Sequence, residues 1–524
     1  MARELQDQRD GVFVKHLKLI RWVIGVAAGV LAGLWIAVLA VSRAPSLREA
    51  LVRALNERLD AEVELAGFEV RTFPLFRIHG DGLKLRLHNQ QNPSPFIEVR
   101  HFEVSGGLFG MLRRQRHFTS VELEGLRITI PPRTGADKEA GSKAATTVAG
   151  PVIIDHVTAR DAQLIMVPTD PAKESKIWAI HNLELESVGF NRAMPFVATL
   201  SNPVPQGEIA TKGTFGPWVK GDPGLTPVSG RYSFEHADLG TINGIGGILS
   251  STGEFTGILS RIGVQGKTST PDFRIDLGGS PMPLETTFDA LVDGTNGNTY
   301  LNKVDAKLRD TPIEASGAIE STPHVKGRTV KIEVTVRDGR VEDLLQLAVR
   351  GAHPVMKARI GLHAALTLPP GKQHISDRLQ LSGRFALEHA EFTDPEVRQQ
   401  IAALSRRAQG KKADEPMGRI VSDMRGQFAM RDGRIRFEPV RFDVPGADIQ
   451  LVGGYGLRSE ELDFTGTLAM EAPVSKAMGG IKGFFLKPFD PLFRKEGKGA
   501  IVPITIKGPR AEPKFGLQWG KVFK

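Results

Sequence analysis

The sequence predicts a mainly β protein: a single N-terminal transmembrane helix, then an elongated, twisted antiparallel β groove or open barrel/sandwich with a few short helices. Three observations carry this. Trp22 to Val41 holds 20 residues without a charge. Most of the remaining chain alternates apolar and polar residues in short runs, the pattern of strands with one wet face. Gly (57) and Pro (33) together are abundant in 524 residues, which suits a chain with many turns.

Composition removes several classes. With 41% hydrophobic and 24% charged residues the chain is globular in type, neither disordered nor wholly membrane-embedded. Cysteine is absent, which excludes disulfides, Cys–zinc sites, Fe–S clusters and a catalytic thiol. The net charge of +9 is a mild excess for this length, compatible with a soluble body or an anionic membrane surface.

The elements follow in chain order. Residues 1–21 form a tail and 22–41 an anchor whose length, at 1.5 Å per residue, matches a hydrocarbon core of about 30 Å. A cleaved signal peptide is the alternative, but the apolar run exceeds the ~7–15 residues of a signal h-region. Five basic residues precede the anchor (Arg3, Arg9, Lys15, Lys18, Arg21) and four follow it (Arg43, Arg48, Arg53, Arg58). That count favours a cytoplasmic N-terminus and a body across the membrane.

Residues 45–60 read as an amphipathic capping helix. Ser46 and Glu49 have capping-box spacing, and Leu47, Ala50, Leu51, Ala54, Leu55 and Leu59 share a face. The helix either lies on the membrane or closes the first end of the β body. An N-terminal β region (61–133) follows, with Gly67 and Gly125 as candidate bulges where the apolar parity switches. Thr134 to Gly150 is polar, small-residue-rich and reads as a flexible linker. The central region (151–392) alternates at Leu183–Glu186 and Val330–Val336, with turn signals at Asp293-Gly294 and Asn296-Gly297. Val341 to Val349 and Asp394 to Gly410 carry helical spacing, the latter forming an insertion (393–412). A C-terminal β region (413–524) contains the alternating Val502, Ile504 and Ile506. About 25 strands at ~4.8 Å each would make a ladder on the order of 100 Å long.

An internal echo marks the body. Ser229 to Leu239 reads SGRYSFEHADL, and Ser382 to Phe392 reads SGRFALEHAEF; a weaker relative, RGQFAMRDGRIRF, begins at Arg425. Repetition of strand units is the reading it supports.

The search for chemistry is negative. None of the 13 histidines forms H-E-x-x-H. Glu235, His236 and Asp238 resemble a cluster on paper, but neighbours in a strand point to opposite faces. No G-x-S-x-G elbow is present, Gly266-Lys267-Thr268 lacks the earlier glycine of a phosphate loop, and aromatics at 7% form no basic stacking stripe. The chain therefore reads as non-enzymatic, with no catalytic or metal residues, no cofactor and no nucleic-acid partner. Gly479 to Phe493 (GGIKGFFLKPFDPLF) sets Phe484, Phe485 and Phe489 among lysines. It is either a membrane-proximal segment or the closure of a β core.

The anchor, the capped helix, VELAGFEVRTFPLFRIHGDGLKLRL, FIEVRHFEVSGGLFGML and SVELEGLRITIPP resemble the N-terminal part of the AsmA-like family of Gram-negative envelope proteins. GRIRFEPVRFDVPGADIQLVGGYGLRSEELDFTGTLAM and KPFDPLFRKEGKGAIVPITIKGPRAEPKF resemble its far end. The resemblance implies an inner-membrane anchor and a periplasmic, β-rich body related to bridge-like lipid-transfer proteins. It implies phospholipids as partners and a role in moving them towards the outer membrane, or in outer-membrane assembly with a periplasmic or outer-membrane protein partner. It supplies no catalytic residues.

The expected mechanism is an apolar sheet face that shelters acyl chains. The candidate lining residues are Leu83, Leu85, Leu126, Ile128, Ile332, Val334, Ile504 and Ile506. A closed sandwich with a dry core writes the same alternation. A scaffold for outer-membrane assembly that holds no lipid is the alternative function.

Overall fold

The structure, a computed structural model, describes residues 52, 56, 61–71, 76–87, 97–107, 116–130, 152–166, 176–189, 192–219, 222–276, 279–321, 327–349, 354, 356–371, 373–393, 395–411, 415, 420–472, 500–510 and 512–517. The expected anchor, the 134–150 linker and the Phe484, Phe485 and Phe489 segment lie outside these residues. The protein is mainly β with few helices. Among the described residues no helix is long and apolar enough to cross a membrane.

The chain divides into two compact units. One comprises residues 1–241, 249–266 and 291–298; the other comprises 242–248, 267–290 and 299–524.

The first unit begins with β1 (Ala61–Glu64), β2 (Gly67–Arg71), β3 (Phe76–Leu87), β4 (Ile97–Gly106), β5 (Arg116–Glu124) and β6 (Arg127–Ile130). β1 and β2 pair with successive stretches of β3, and the chain breaks between them at Leu65–Ala66, beside Gly67. β5 and β6 likewise break at Gly125, whose φ is +65°. Apolar residues of these strands, among them Ile78, Leu85 and Phe118, close a buried core. Val52 and Asn56, both helical, belong to it: Val52 packs on the cluster and the Asn56 Oδ1 accepts a hydrogen bond from the Val63 amide at 2.7 Å. These two contacts place that part of the capping helix against the β core.

β7 (Val152–Met166) departs from the all-antiparallel expectation. It runs parallel to both β5 and β6. Antiparallel strands can be joined by a tight turn, whereas parallel ones need a connection of a dozen or more residues. Residues 131–151 are long enough to supply it. β8 (Lys176–Val188), β9 (Met194–Pro203), β10 (Gln206–Phe215) and β11 (Pro227–Asp238) then continue as an antiparallel ladder. After β12 (Ile245–Gly246), which belongs to the second unit, β13 (Ile248–Ile258) pairs with β11.

The boundary between units runs through β14 (Arg261–Ile275) and β15 (Met282–Val292). The second unit continues through β16 (Thr299–Leu308), β17 (Thr311–Ser321), β18 (Arg328–Arg340), β19 (Met356–Leu368), β20 (Gln380–Phe392), β21 (Ser422–Arg431), β22 (Arg434–Val444), β23 (Ala447–Gly456), β24 (Glu461–Met470), β25 (Ala500–Pro509) and β26 (Lys514–Leu517). From β16 onward each strand pairs antiparallel with the next, giving an eleven-strand ladder.

Helices α1 (Val341–Ala348), α2 (Ile375–Arg378) and α3 (Pro395–Ala408) interrupt this ladder. The helical spacing in the sequence locates α1 and α3 to within two residues. α1 packs Val341, Leu344 and Leu345 onto β18–β20. Its buried Asp343 accepts a hydrogen bond from the Thr311 hydroxyl at 2.8 Å. α3 packs Ile401, Leu404 and Ala408 onto β22–β25, and its Ser405 hydroxyl donates to the Pro445 carbonyl at 2.5 Å. α2 is too short for a periodic signal. It sits by the β21–β22 turn, where a Cβ on Gly433 would stand 3.7 Å from the Asp377 carboxylate, and Asp377 pairs with Arg458 of the β23–β24 turn at 2.8 Å.

Candidate functional site

The registers of the second unit set apolar residues of successive strands side by side. One row crosses Ala315, Val334, Ala364, Gly383, Phe428, Phe437, Gly453, Phe464 and Ile506. A neighbouring row crosses Gly317, Ile332, Leu366, Leu381, Met430, Ile435, Tyr455 and Leu462. On the other side of the first row, Leu451 faces Gly466 and Gly466 faces Ile504. Ile332, Val334, Ile504 and Ile506, four of the expected lining residues, therefore share one face of one ladder, and Val334 and Ile506 share one row.

Burial along this face is graded. Next to α1 and α3 it is closed: Ile360, Leu387, Ile449, Leu468 and Val502 are at most 6% exposed. Four residues further along the strands it opens. In the row from Ala315 to Ile506 only Ala364 is buried, and the rest are half-buried. A filled sandwich core would bury this row as it buries Val502. The opposite face carries exposed cross-strand ion pairs such as Arg337–Glu314 at 2.6 Å and Lys507–Asp463 at 3.3 Å. Each adds about 0–1 kcal/mol; together they keep that face wet.

Glycines determine what the half-buried row can hold. Phe385 on β20 lies opposite Gly426 on β21, and Phe428 on β21 lies opposite Gly383 on β20. A Cβ on Gly383 would stand 2.9 Å from the Phe428 ring, and one on Gly426 3.1 Å from the Phe385 ring. Phe437 and Phe464 lie opposite Gly453 in register, one on each neighbouring strand. The four rings touch in sequence, with centroids 5.9–6.5 Å apart, Phe385 and Phe437 meeting edge-on at 88°. Such pairs contribute about 0.5–1.5 kcal/mol each beyond area burial. The result is an aromatic floor laid over glycine backbone.

The first unit repeats this device. A Cβ on Gly230 of β11 would meet the Phe255 ring at 2.6 Å, and one on Gly253 of β13 the Tyr232 ring at 2.7 Å. The internal echo is thus a two-strand unit. Gly230 and Tyr232 correspond to Gly383 and Phe385, while Gly253 and Phe255 correspond to Gly426 and Phe428. The first strands are offset by 153 residues (383 − 230) and the second by 173 (426 − 253); α3 and its flanks fill the difference. RGQFAM is accordingly the second strand of the unit, not a third copy of the first. The echo's histidines are bulge residues: His236 and His389 have φ of +54° and +56°. Each stands at a register shift and precedes a buried alanine, Ala237 or Ala390. A bulge re-aims the next side chain, which here turns alanine inward and histidine out. Among the described residues no group of three or more His, Asp or Glu is placed to hold a metal.

The remaining expected lining residues belong to the first unit. Leu83 and Leu85 are 6% and 0% exposed within its closed core. Leu126 packs against that core, and Ile128 is half-buried opposite Ile97. Protein already covers Leu83 and Leu85, so they offer no open surface. Phe385, Phe428, Phe437 and Phe464 escape sequence reasoning based on aliphatic alternation. The G-x-F spacing is a signal for Phe385 and Phe428; Phe437 and Phe464 follow Ile435 and Leu462 at that spacing and carry no such mark.

No protein-family model, curated protein or solved structure matches this chain.

Proposed function

We propose that the chain is a non-enzymatic lipid-binding protein of the cell envelope, sheltering phospholipid acyl chains on the half-buried face of its β ladder. The observation that carries this reading is the row from Val334 to Ile506, apolar across the strands yet only half-buried except at Ala364. Each methylene that leaves water there contributes about 0.8 kcal/mol. The term is non-directional, so a chain can move along the row without exchanging specific contacts. Extended to the whole protein, the proposal takes Trp22 to Val41 as an inner-membrane anchor and the body as periplasmic. It takes the transfer of phospholipid between inner and outer membranes as the task, as the resemblance to the AsmA-like family implies. The elongated groove is part of this proposal.

Mass spectrometry of lipid retained by the chain from Arg43 to Lys524 tests it, since removing the anchor removes the lipid that an anchor binds. The proposal expects phospholipid in stoichiometric amounts, reduced severalfold in the Val334→Asp, Ile506→Asp double variant. Lipid-free, folded protein in a preparation that keeps added phospholipid in solution would favour an assembly scaffold.

A further inference from the structure

The half-buried face ends at a charged group that is poorly paired. Arg510 follows β25 in the same alternation as Ile504 and Ile506. Its backbone amide donates to the Glu460 carbonyl at 2.8 Å, which pins it to the end of β24. Its side chain is two-thirds buried, and its Nε is fully buried with no hydrogen-bond partner. The neighbouring carboxylate, Glu460, stands 3.6 Å from Nη2, beyond hydrogen-bond reach. Tyr455, from the row of Ile435 and Leu462, lies within electrostatic reach of the guanidinium. Burial pushes that phenol above its ordinary pKa, with Arg510 opposing the shift, so at neutral pH it keeps a proton to donate. A buried, unsatisfied donor on a cation is costly, and here it adjoins an open apolar surface.

We propose that Arg510, with Tyr455, anchors the anionic headgroup, a phosphate or carboxylate, of an amphiphile whose alkyl chain lies on the Ile435–Leu462–Ile506 surface. The inference rests on the lipid-binding reading and gives it a headgroup preference. The exposed third of the side chain offers its Nη–H donors to the oxygens of an anion, and the phenol adds a further donor. Glu460 is the competitor that an incoming anion must displace.

The test is isothermal titration of the full chain with decyl phosphate, decanol and inorganic phosphate. Decyl phosphate is expected to bind about ten- to a hundredfold more tightly than decanol, the range for hydrogen bonds to a charged group. Arg510→Gln should abolish that difference and leave decanol binding unchanged. Glu460→Gln should raise decyl phosphate affinity, an outcome a purely structural arginine would not give and one that keeps the test alive if Arg510→Gln misfolds. Equal binding of decyl phosphate and decanol, or a preference that survives Arg510→Gln, overturns the anchor while leaving the apolar face in place. Inorganic phosphate competing as well as decyl phosphate also overturns it, since the apolar surface would then take no part. Binding of neither amphiphile refutes the lipid-binding reading itself, and the anchor with it.

Discussion

Val502 and Ile506 lie on the same strand and the same face, four residues apart, yet they should respond oppositely to a buried charge. Val502 is 4% exposed and packs in the cluster beneath α3. Val502→Asp forfeits about 1.5–3 kcal/mol of side-chain burial and strands a carboxylate whose effective desolvation costs several kcal/mol more. The sum, on the order of 5 kcal/mol, rivals the whole ~5–15 kcal/mol stability of a typical domain. Ile506 is half-buried in the open row. Ile506→Asp loses about 1 kcal/mol of partial burial, because its carboxylate can reach water. For a unit of this size that is a melting shift of about 2–4 °C. Thermal unfolding followed by far-UV circular dichroism, with hydrogen exchange in β24–β25 as a local readout, separates the two. Equal collapse of both variants would mean the row from Val334 to Ile506 is a closed core, and the reasoning would fail.

Other expected outcomes follow from single positions. Gly466→Ala would drive a Cβ into the Gln450 carbonyl of β23, so it should destabilise the ladder by about 1–3 kcal/mol, read as a lower denaturation midpoint. His389→Gly should be neutral or stabilising by up to about 1 kcal/mol, because φ of +56° is strained for histidine and free for glycine. Ala390→Leu beside it should cost about 1–3 kcal/mol, since Ala390 is 1% exposed. Tyr455 should ionise above the ordinary tyrosine value of about 10, visible as the difference between wild-type and Tyr455→Phe absorbance titrations. Because the folded pKa is raised, the stability it contributes is complete below the unfolded value and is lost as pH climbs through the folded one.

Much of the fold is legible in the sequence because a sheet with one wet face prints its geometry as alternation. Val330–Val336 and Val502–Ile506 become β18 and β25 on that signal alone, and α1 and α3 emerge from helical spacing. Alternation has no direction, however, so the parallel pairing of β7 with β5 and β6 leaves no mark in it. Nor does alternation state what covers a face: Leu85 and Val334 read alike, yet one is sealed in a core and the other half-buried. The echo is visible in its first strand, where eleven residues correspond. Its second strand shares only G-x-F, at an offset changed by α3. Arg510 and Tyr455 are brought together by the registers of β23, β24 and β25, a juxtaposition that local sequence does not contain.

Site-specific photocrosslinking in cells tests the central claim most directly, with a photoreactive residue placed at Ile506 and, in a second protein, at Lys507. The two are neighbours on β25 with opposite orientations: Ile506 is half-buried on the apolar face, and Lys507 is exposed and paired with Asp463. The account predicts phospholipid adducts at 506 and none at 507. Adducts at neither position, or equally at both, would contradict it.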